Sequence, residues 1–194
     1  MSNLIRKTTD LAAHIVSAYI SSDSILVDAT CGNGHDTLML AASPHAKLYA
    51  FDIQQAAADA TRRLLISEGY ESELTNNTIS IICDSHVNMN DYIAEKADVI
   101  MFNLGYLPGG DKNSVTCCGD TIDAVKTALS LLADDGVLCI TMYSGHDEGQ
   151  KEKAALLQLS ENLDPRTYHA AYINFINQKN FPPEILLVTR KPRK

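Results

Sequence analysis

No run of eighteen or more apolar residues occurs in the 194-residue chain, so a membrane-spanning helix is not expected. No CxxC occurs either, and the five cysteines (Cys31, Cys83, Cys117, Cys118 and Cys139) are odd in number. That pattern argues against a disulfide framework or a thiolate zinc site and points to reduced, partly buried thiols. The six histidines (His14, His35, His45, His86, His146 and His169) form no HxxxH or HExxH, so no metal site is expected. Positive charge is scarce: 16 Lys and Arg face 24 Asp and Glu, for a net charge of −8. A broad basic face for nucleic acid is therefore not expected. The exception is "RKPRK" at residues 190–194, which reads as a solvated terminus. The opening "MSNLIRKTTD" has no apolar signal-peptide core, and the cytoplasm is the expected location. Neither GxGxxG nor GxxxxGK[ST] is present.

What is present is an alternation of strands and helices. Apolar residues make up 45% of the chain and charged residues 21%, ordinary for one globular domain over residues 1–194. Helical spacing marks residues 4–20, 36–42, 54–68, 86–93 and 148–163, with Gly69 as a stop for the third. Residues 1–22 form an N-terminal helix packed on that domain in this reading. A further helix is carried by Ile122, Val125, Leu129 and Leu132. Apolar runs predict strands at 25–28, 47–52, 78–83, 97–103, 136–143, 168–175 and 184–190. A polar, Gly-rich loop spans 104–119. This order predicts an α/β fold. Its seven-stranded sheet is mostly parallel, with helices on both faces and an antiparallel C-terminal hairpin at one edge.

In such sheets the ligand sits outside the carboxyl ends of the strands. Those ends carry Asp28, Asp52, Asp84 and Asn103. Two carboxylate oxygens after the second strand can accept from both ribose hydroxyls. An acid after the third can accept from an exocyclic amine of adenine. The first loop, "DATCGNGHDT", has Gly32 and Gly34 to admit a ligand to the backbone. Asp36 stands where the next helix begins, and its charge would repel a pyrophosphate. A ligand carrying a sulfonium and an ammonium suits that position better. An NAD-binding oxidoreductase and a binding protein without catalysis remain as alternatives at this point.

Read together, these motifs resemble the class I, Rossmann-like methyltransferases that use S-adenosylmethionine (SAM). "VDATCGNG", "FD" at Phe51–Asp52, "CDS" at residues 83–85 and "LLADDGVLCI" follow that order. Three longer strings, "DATCGNGHDT", "FNLGYLPGGDK" and "YSGHDEG" with the later "FINQKN", resemble a family long labelled rRNA methylases. The resemblance implies methylation of 5-aminomethyl-2-thiouridine at the tRNA wobble position, giving 5-methylaminomethyl-2-thiouridine. It implies tRNA, through its anticodon loop, as the partner. Methylation of another RNA or of a small amine is the alternative within enzymes. A homodimer is compatible with the sequence and not required by it.

The resemblance places SAM against Asp28, Thr30, Cys31, Gly32, Asn33 and Gly34, then His35, Asp36 and Thr37. Asp52, Ile53 and Gln54 follow from the second strand end, Asp84, Ser85 and His86 from the third, and Asn103 from the fourth. "NLGY" stands where amino-group methyltransferases have Asn-Pro-Pro-Tyr. It assigns Asn103 and the Leu104 carbonyl to aiming the amine, and Tyr106 to stacking on the uridine. His146 borders the substrate and accepts a proton in this reading, with Asp147 capping the following helix. Gly109, Gly110, Lys112, Tyr143, Asn177, Gln178 and Lys179 complete the expected substrate side.

Overall fold

A computed structural model describes residues 5–105 and 118–192. The strands are β1 (Ile25–Asp28), β2 (Lys47–Asp52), β3 (Ile79–Cys83), β4 (Ala97–Leu104), β5 (Leu132–Met142), β6 (Tyr168–Ile173) and β7 (Glu184–Arg190). The helices are α1 (Thr8–Ser17), α2 (His35–Ala41), α3 (Gln55–Ser67), α4 (Glu71–Thr75), α5 (Met89–Tyr92), α6 (Cys118–Leu131) and α7 (Asp147–Glu161). All seven strands join one sheet in the order β3-β2-β1-β4-β5-β7-β6. β1 to β5 are parallel, and β7 runs antiparallel between β5 and β6. The late hairpin is at the edge as expected, but β7, not β6, joins the parallel sheet.

Strand residues alternate between two apolar layers because successive side chains point to opposite faces. Val27, Phe51, Ile100 and Ile140 pack in the layer that includes Ala124 and Leu129 of α6 and Leu156 of α7. Leu26, Leu48, Val99 and Cys139 pack with Val16 of α1, Leu40 of α2 and Leu65 of α3. The sheet is thus covered on both faces, which is why its strands read as continuous apolar runs.

Several elements differ from the sequence reading. α1 starts at Thr8, four residues late, because the Asp10 carboxylate accepts the N–H groups of Arg6 (3.0 Å) and Lys7 (2.9 Å) and fixes the first turn there. Leu132 continues the apolar spacing of α6 yet opens β5, which bulges so that Ala97 faces Leu132 while Val99 faces Val137. Residues 86–93 split into a 3₁₀ turn, His86–Asn88, and α5. The short α4 gives no apolar stripe and was not expected. Gly69 does end the α3 region, at φ 92°. No helix among the described residues is long and apolar enough to cross a membrane.

Candidate active site

The strand order reverses between β1 and β4, and in sheets of this kind ligands bind beyond the carboxyl ends of such strands. The ladder runs one step past β1: Ala29 N–H donates to Met101 O at 2.8 Å, and Cys31 N–H to Phe51 O at 2.8 Å. The chain then turns through Gly32 (φ 51°) and Gly34 (φ 85°) into α2.

Asp28 lies beneath this loop, fully buried. Its Oδ1 accepts the Thr30 N–H at 3.1 Å, and its Oδ2 accepts the Thr37 hydroxyl at 2.6 Å. Burial pushes its carboxyl up to about 7, with the Asp36 charge adding and the two hydrogen bonds opposing. Asp28 and Thr37 were expected to face the cofactor. Instead they bond one another and hold the loop from below. Asp36 and Asp52, by contrast, are half-buried.

A Cβ on Gly34 would lie 3.0 Å from Thr61 Cα and 3.2 Å from Leu64 Cδ2. Its missing Cβ lets α3 approach the loop. Gly32 keeps a place in the loop's network: its N–H donates to Asp52 Oδ2 at 3.0 Å, and its carbonyl accepts the Thr61 hydroxyl at 3.1 Å. Asp52 Oδ1 accepts the Gln54 N–H at 2.9 Å. One bond per oxygen leaves Asp52 a further lone pair on each. Ile53 beside it is 66% exposed.

At β3, Asp84 accepts the Tyr92 hydroxyl at 2.8 Å and the Asn88 amide at 3.1 Å, with Ser85 N–H at 2.7 Å. Chiefly through Tyr92, these donors hold its carboxyl below the usual range. Ser85 caps the 3₁₀ turn. His86 Nδ1 lies 3.1 Å from Ala29 O. A carbonyl only accepts, so the proton is on Nδ1 and Nε2 is a bare acceptor. That Nε2 is buried without a partner, and burial holds the imidazole below its ordinary pKa.

Asn103 ends the ladder of β4 against the loop. Its N–H donates to Thr30 Oγ1 at 2.7 Å, and its Nδ2 donates to Asp36 Oδ2 at 2.9 Å. A carboxylate only accepts, so the orientation of the amide is fixed and Oδ1 points away from Asp36. Oδ1 is buried and has no partner. The Tyr143 ring packs on Gly105, where a Cβ would be 3.1 Å from its Cε2. Burial and then the Asp36 charge raise the Tyr143 phenol, against a hydrogen bond from Asn103. The structure thus brings together Thr30, Asp36, Asn103 and Tyr143, four of the expected residues. Cys31 is buried, and burial pushes its thiol up to about 12. Asn33 and His35 are exposed on the loop. Leu104 closes β4, followed by a tight turn in which Gly105 N–H donates to Asn103 O at 2.8 Å.

His146 takes the capping role expected of Asp147. Its Nδ1 accepts the Gly149 N–H at 2.9 Å at the start of α7. With Nδ1 engaged, the other ring nitrogen carries the proton, and the ring has no free lone pair for the expected proton transfer. Asn177, Gln178 and Lys179 are exposed between β6 and β7. Tyr106, Gly109, Gly110 and Lys112 lie outside the described residues.

Sequence reasoning missed a second cluster. Glu184 opens β7 as a buried acid and accepts from Ser144 Oγ (3.0 Å), Lys153 Nζ (2.8 Å) and the Tyr172 hydroxyl. Its only sequence signal was an acid directly before the apolar run "ILLV". Burial pushes its carboxyl up, but the bonds to Lys153, Tyr172 and Ser144 outweigh it and hold it low.

The donor set fits a cationic nucleoside ligand. Asp36 and Asp52 form no ion pair among the described residues. Asn103 Oδ1 and His86 Nε2 are buried acceptors awaiting N–H or O–H donors. No group of three His, Cys, Asp or Glu that could hold a metal ion occurs among the described residues.

Comparison with known proteins agrees. Residues 48–189 match the sequence model of a family described as "Putative rRNA methylase". A chloroplastic tRNA (mnm(5)s(2)U34)-methyltransferase of Arabidopsis thaliana is 31% identical over 96% of this chain and 70% of its own length. A crystal structure described as an rRNA-methylase from Clostridium thermocellum is 32% identical, covering 96% of this chain and 99% of its own, with a TM-score of 0.87. A methyltransferase of Streptococcus mutans, solved with SAH, is 33% identical over 96% of this chain and 99% of its own, with a TM-score of 0.84. The oxidoreductase alternative gives way to these findings. With a class I methyltransferase fold and this match over most of its length, the chain belongs to the family described as "Putative rRNA methylase".

Proposed function

We propose that this protein, a SAM-dependent methyltransferase, methylates the aminomethyl nitrogen of 5-aminomethyl-2-thiouridine at the wobble position of tRNA. The observation that carries an amine as acceptor is Asn103 Oδ1, a buried oxygen with no partner at the end of β4. The choice of nucleoside is supported by the Arabidopsis relative, whose name carries the methylated product. The cytoplasm is the location in this proposal.

SAM would be held by the β1–α2 loop, Asp36, Asp52 and His86, and when bound it supplies an electrophilic methyl group on a sulfonium. The chain's residues then have two tasks. An alkylamine is largely protonated near neutral pH, so its lone pair must be freed. The Asp36 carboxylate, bonded to Asn103, favours entry of the ammonium form. Once the amine has lost a proton to solvent, Oδ1 accepts one remaining N–H and fixes the direction of the lone pair. The methyl that bound SAM would supply then goes to this lone pair, its bonding electrons staying with the sulfur, and the product amine is left as its ammonium. Positioning of this kind is the protein's main contribution to such a displacement.

The test is direct. Protein, SAM and tRNA bearing 5-aminomethyl-2-thiouridine are incubated, the RNA is digested, and nucleosides are resolved by mass spectrometry. The expected product is the 5-methylaminomethyl nucleoside. If that nucleoside stays unmethylated, the substrate assignment is refuted.

A further inference from the structure

Glu184 has no part in the chemistry proposed above, yet it is a buried acid that takes three donors among the described residues. Two of them join elements of the fold. Lys153 of α7 balances the charge at 2.7 Å, and the Tyr172 hydroxyl ties in β6. The third stands elsewhere. Ser144, buried in the loop between β5 and α7, donates its hydroxyl to Glu184 Oε2 at 3.0 Å. Holding α7 and β6 on β7 needs Lys153 and Tyr172 alone.

The Ser144 bond acts on its neighbour, Tyr143. Glu184 pairs with Met142 in the β5–β7 register and grips Ser144 just beyond, so it brackets Tyr143. From the other side, the first turn of α7 lies on the Tyr143 carbonyl, and a Cβ on Gly149 would overlap that oxygen. The backbone of Tyr143 is thus clamped, and its side chain reaches from there to Asn103. Its ring packs on Gly105, and its phenol receives a hydrogen bond from Asn103. Asn103 Oδ1 has no partner, so Nδ2 makes that bond as well as the one to Asp36. An amide nitrogen has two hydrogens, and Tyr143 and Asp36 take both. Tyr143 therefore helps to set the plane of the amide and the direction of Oδ1.

We propose that Glu184 and Ser144 are positioning residues for methyl transfer, holding Tyr143 so that the Asn103 amide presents Oδ1 to the substrate amine. The inference rests on the Asn103 reading above. Neither residue acts on the substrate itself. Their bond fixes the backbone from which Tyr143 reaches the amide, and alignment is the protein's main contribution to such a displacement. Ser144 is the selective point, because its loss leaves Glu184 with Lys153 and Tyr172 and the join between elements survives.

The experiment compares Ser144→Ala with wild type on tRNA bearing 5-aminomethyl-2-thiouridine. Its kcat should fall by about 2- to 13-fold, the effect of one misaligned hydrogen bond between neutral groups. SAM affinity, KM for RNA and thermal unfolding should stay as in wild type. In an Asn103→Ala background the same change should cost nothing further. Paired variants separate the acceptor from the charge. Glu184→Gln with Lys153→Met keeps an oxygen for Ser144 and should hold kcat near wild type, whereas Glu184→Leu with Lys153→Met should match Ser144→Ala. A readout independent of activity is the fluorine NMR spectrum of protein labelled with fluorotyrosine, in which Tyr143→Phe identifies the Tyr143 line. Ser144→Ala should shift that line. An unmoved line, an unchanged kcat, or losses that add in the Asn103→Ala background overturn the proposal while the Asn103 reading stands. Full activity of Asn103→Ala overturns both.

Discussion

Replacing Asn103 by alanine should cost activity and almost no stability. The Asn103 N–H bond to Thr30 survives, because it is made by the backbone. The bond to the Asp36 carboxylate is lost, at roughly 1.5–3 kcal/mol for a charged acceptor. The buried, partnerless Oδ1 is lost as well, which relieves roughly 1–3 kcal/mol of unmet desolvation. The two nearly cancel, and thermal unfolding should shift by no more than about 4 °C for a chain of this size. Catalysis loses the same oxygen when it would accept a substrate N–H. A bond between two neutral groups, about 0.5–1.5 kcal/mol, corresponds to a fall of about 2- to 13-fold in kcat/KM. Steady-state methylation, SAM titration and a melting curve on one preparation test all three parts. A variant that melts far lower, or one that loses only SAM affinity, would show that Oδ1 is structural and refute the reasoning.

Two further outcomes follow from the loop. Gly34→Ala meets both a left-handed φ and Thr61 Cα at 3.0 Å, for a loss of about 2–5 kcal/mol in urea unfolding. Gly69→Ala, at φ 92° with nothing within 4 Å, should lose only about 1 kcal/mol; equal losses at both positions would disprove the α3 clash. Asp28 has a raised folded pKa, about 7, so between its unfolded value of 3.8 and pH 7 the native state binds the extra proton. Stability must therefore fall as pH rises through that window, by on the order of 4 kcal/mol from this group. Asp28→Asn should flatten that slope in unfolding measured from pH 4 to 8; an unchanged slope would sink the assignment.

The strands were legible because both sheet faces are buried. Runs such as "KLYAFD" and "EILLVTR" have no polar alternation to blur their bounds, and β1, β2 and β7 start and stop where the sequence places them. Helix α4 was not legible, because "ESELT" buries no residue. Asp28 could be found at a strand end, but its burial depends on Thr37 folding back nine residues later. No local pattern announces that contact. The pairing of Glu184 with Lys153 spans 31 positions and depends on β7 entering beside β5, which spacing alone does not decide. For His146 and Asp147 the helix start was visible, but which neighbour caps it is settled by backbone angles, with His146 in extended geometry.

The place of β7 makes the sheet depend on a segment far along the chain. Among the described residues β6 pairs with β7 alone, and β7 also supplies the antiparallel edge that covers β5. Loss of Glu184–Arg190 would thus unmoor two strands, not one. It would also disturb the anchor of α1, whose Thr8 hydroxyl donates to Pro183 O across 175 positions. A growing polypeptide can pair β1 through β5 early, but it cannot close this side until residue 190 has been made. Contacts of such long sequence separation slow folding and leave β5 as an open edge meanwhile. The half-made protein is therefore vulnerable to aggregation at β5, and chaperone dependence during synthesis should be concentrated there.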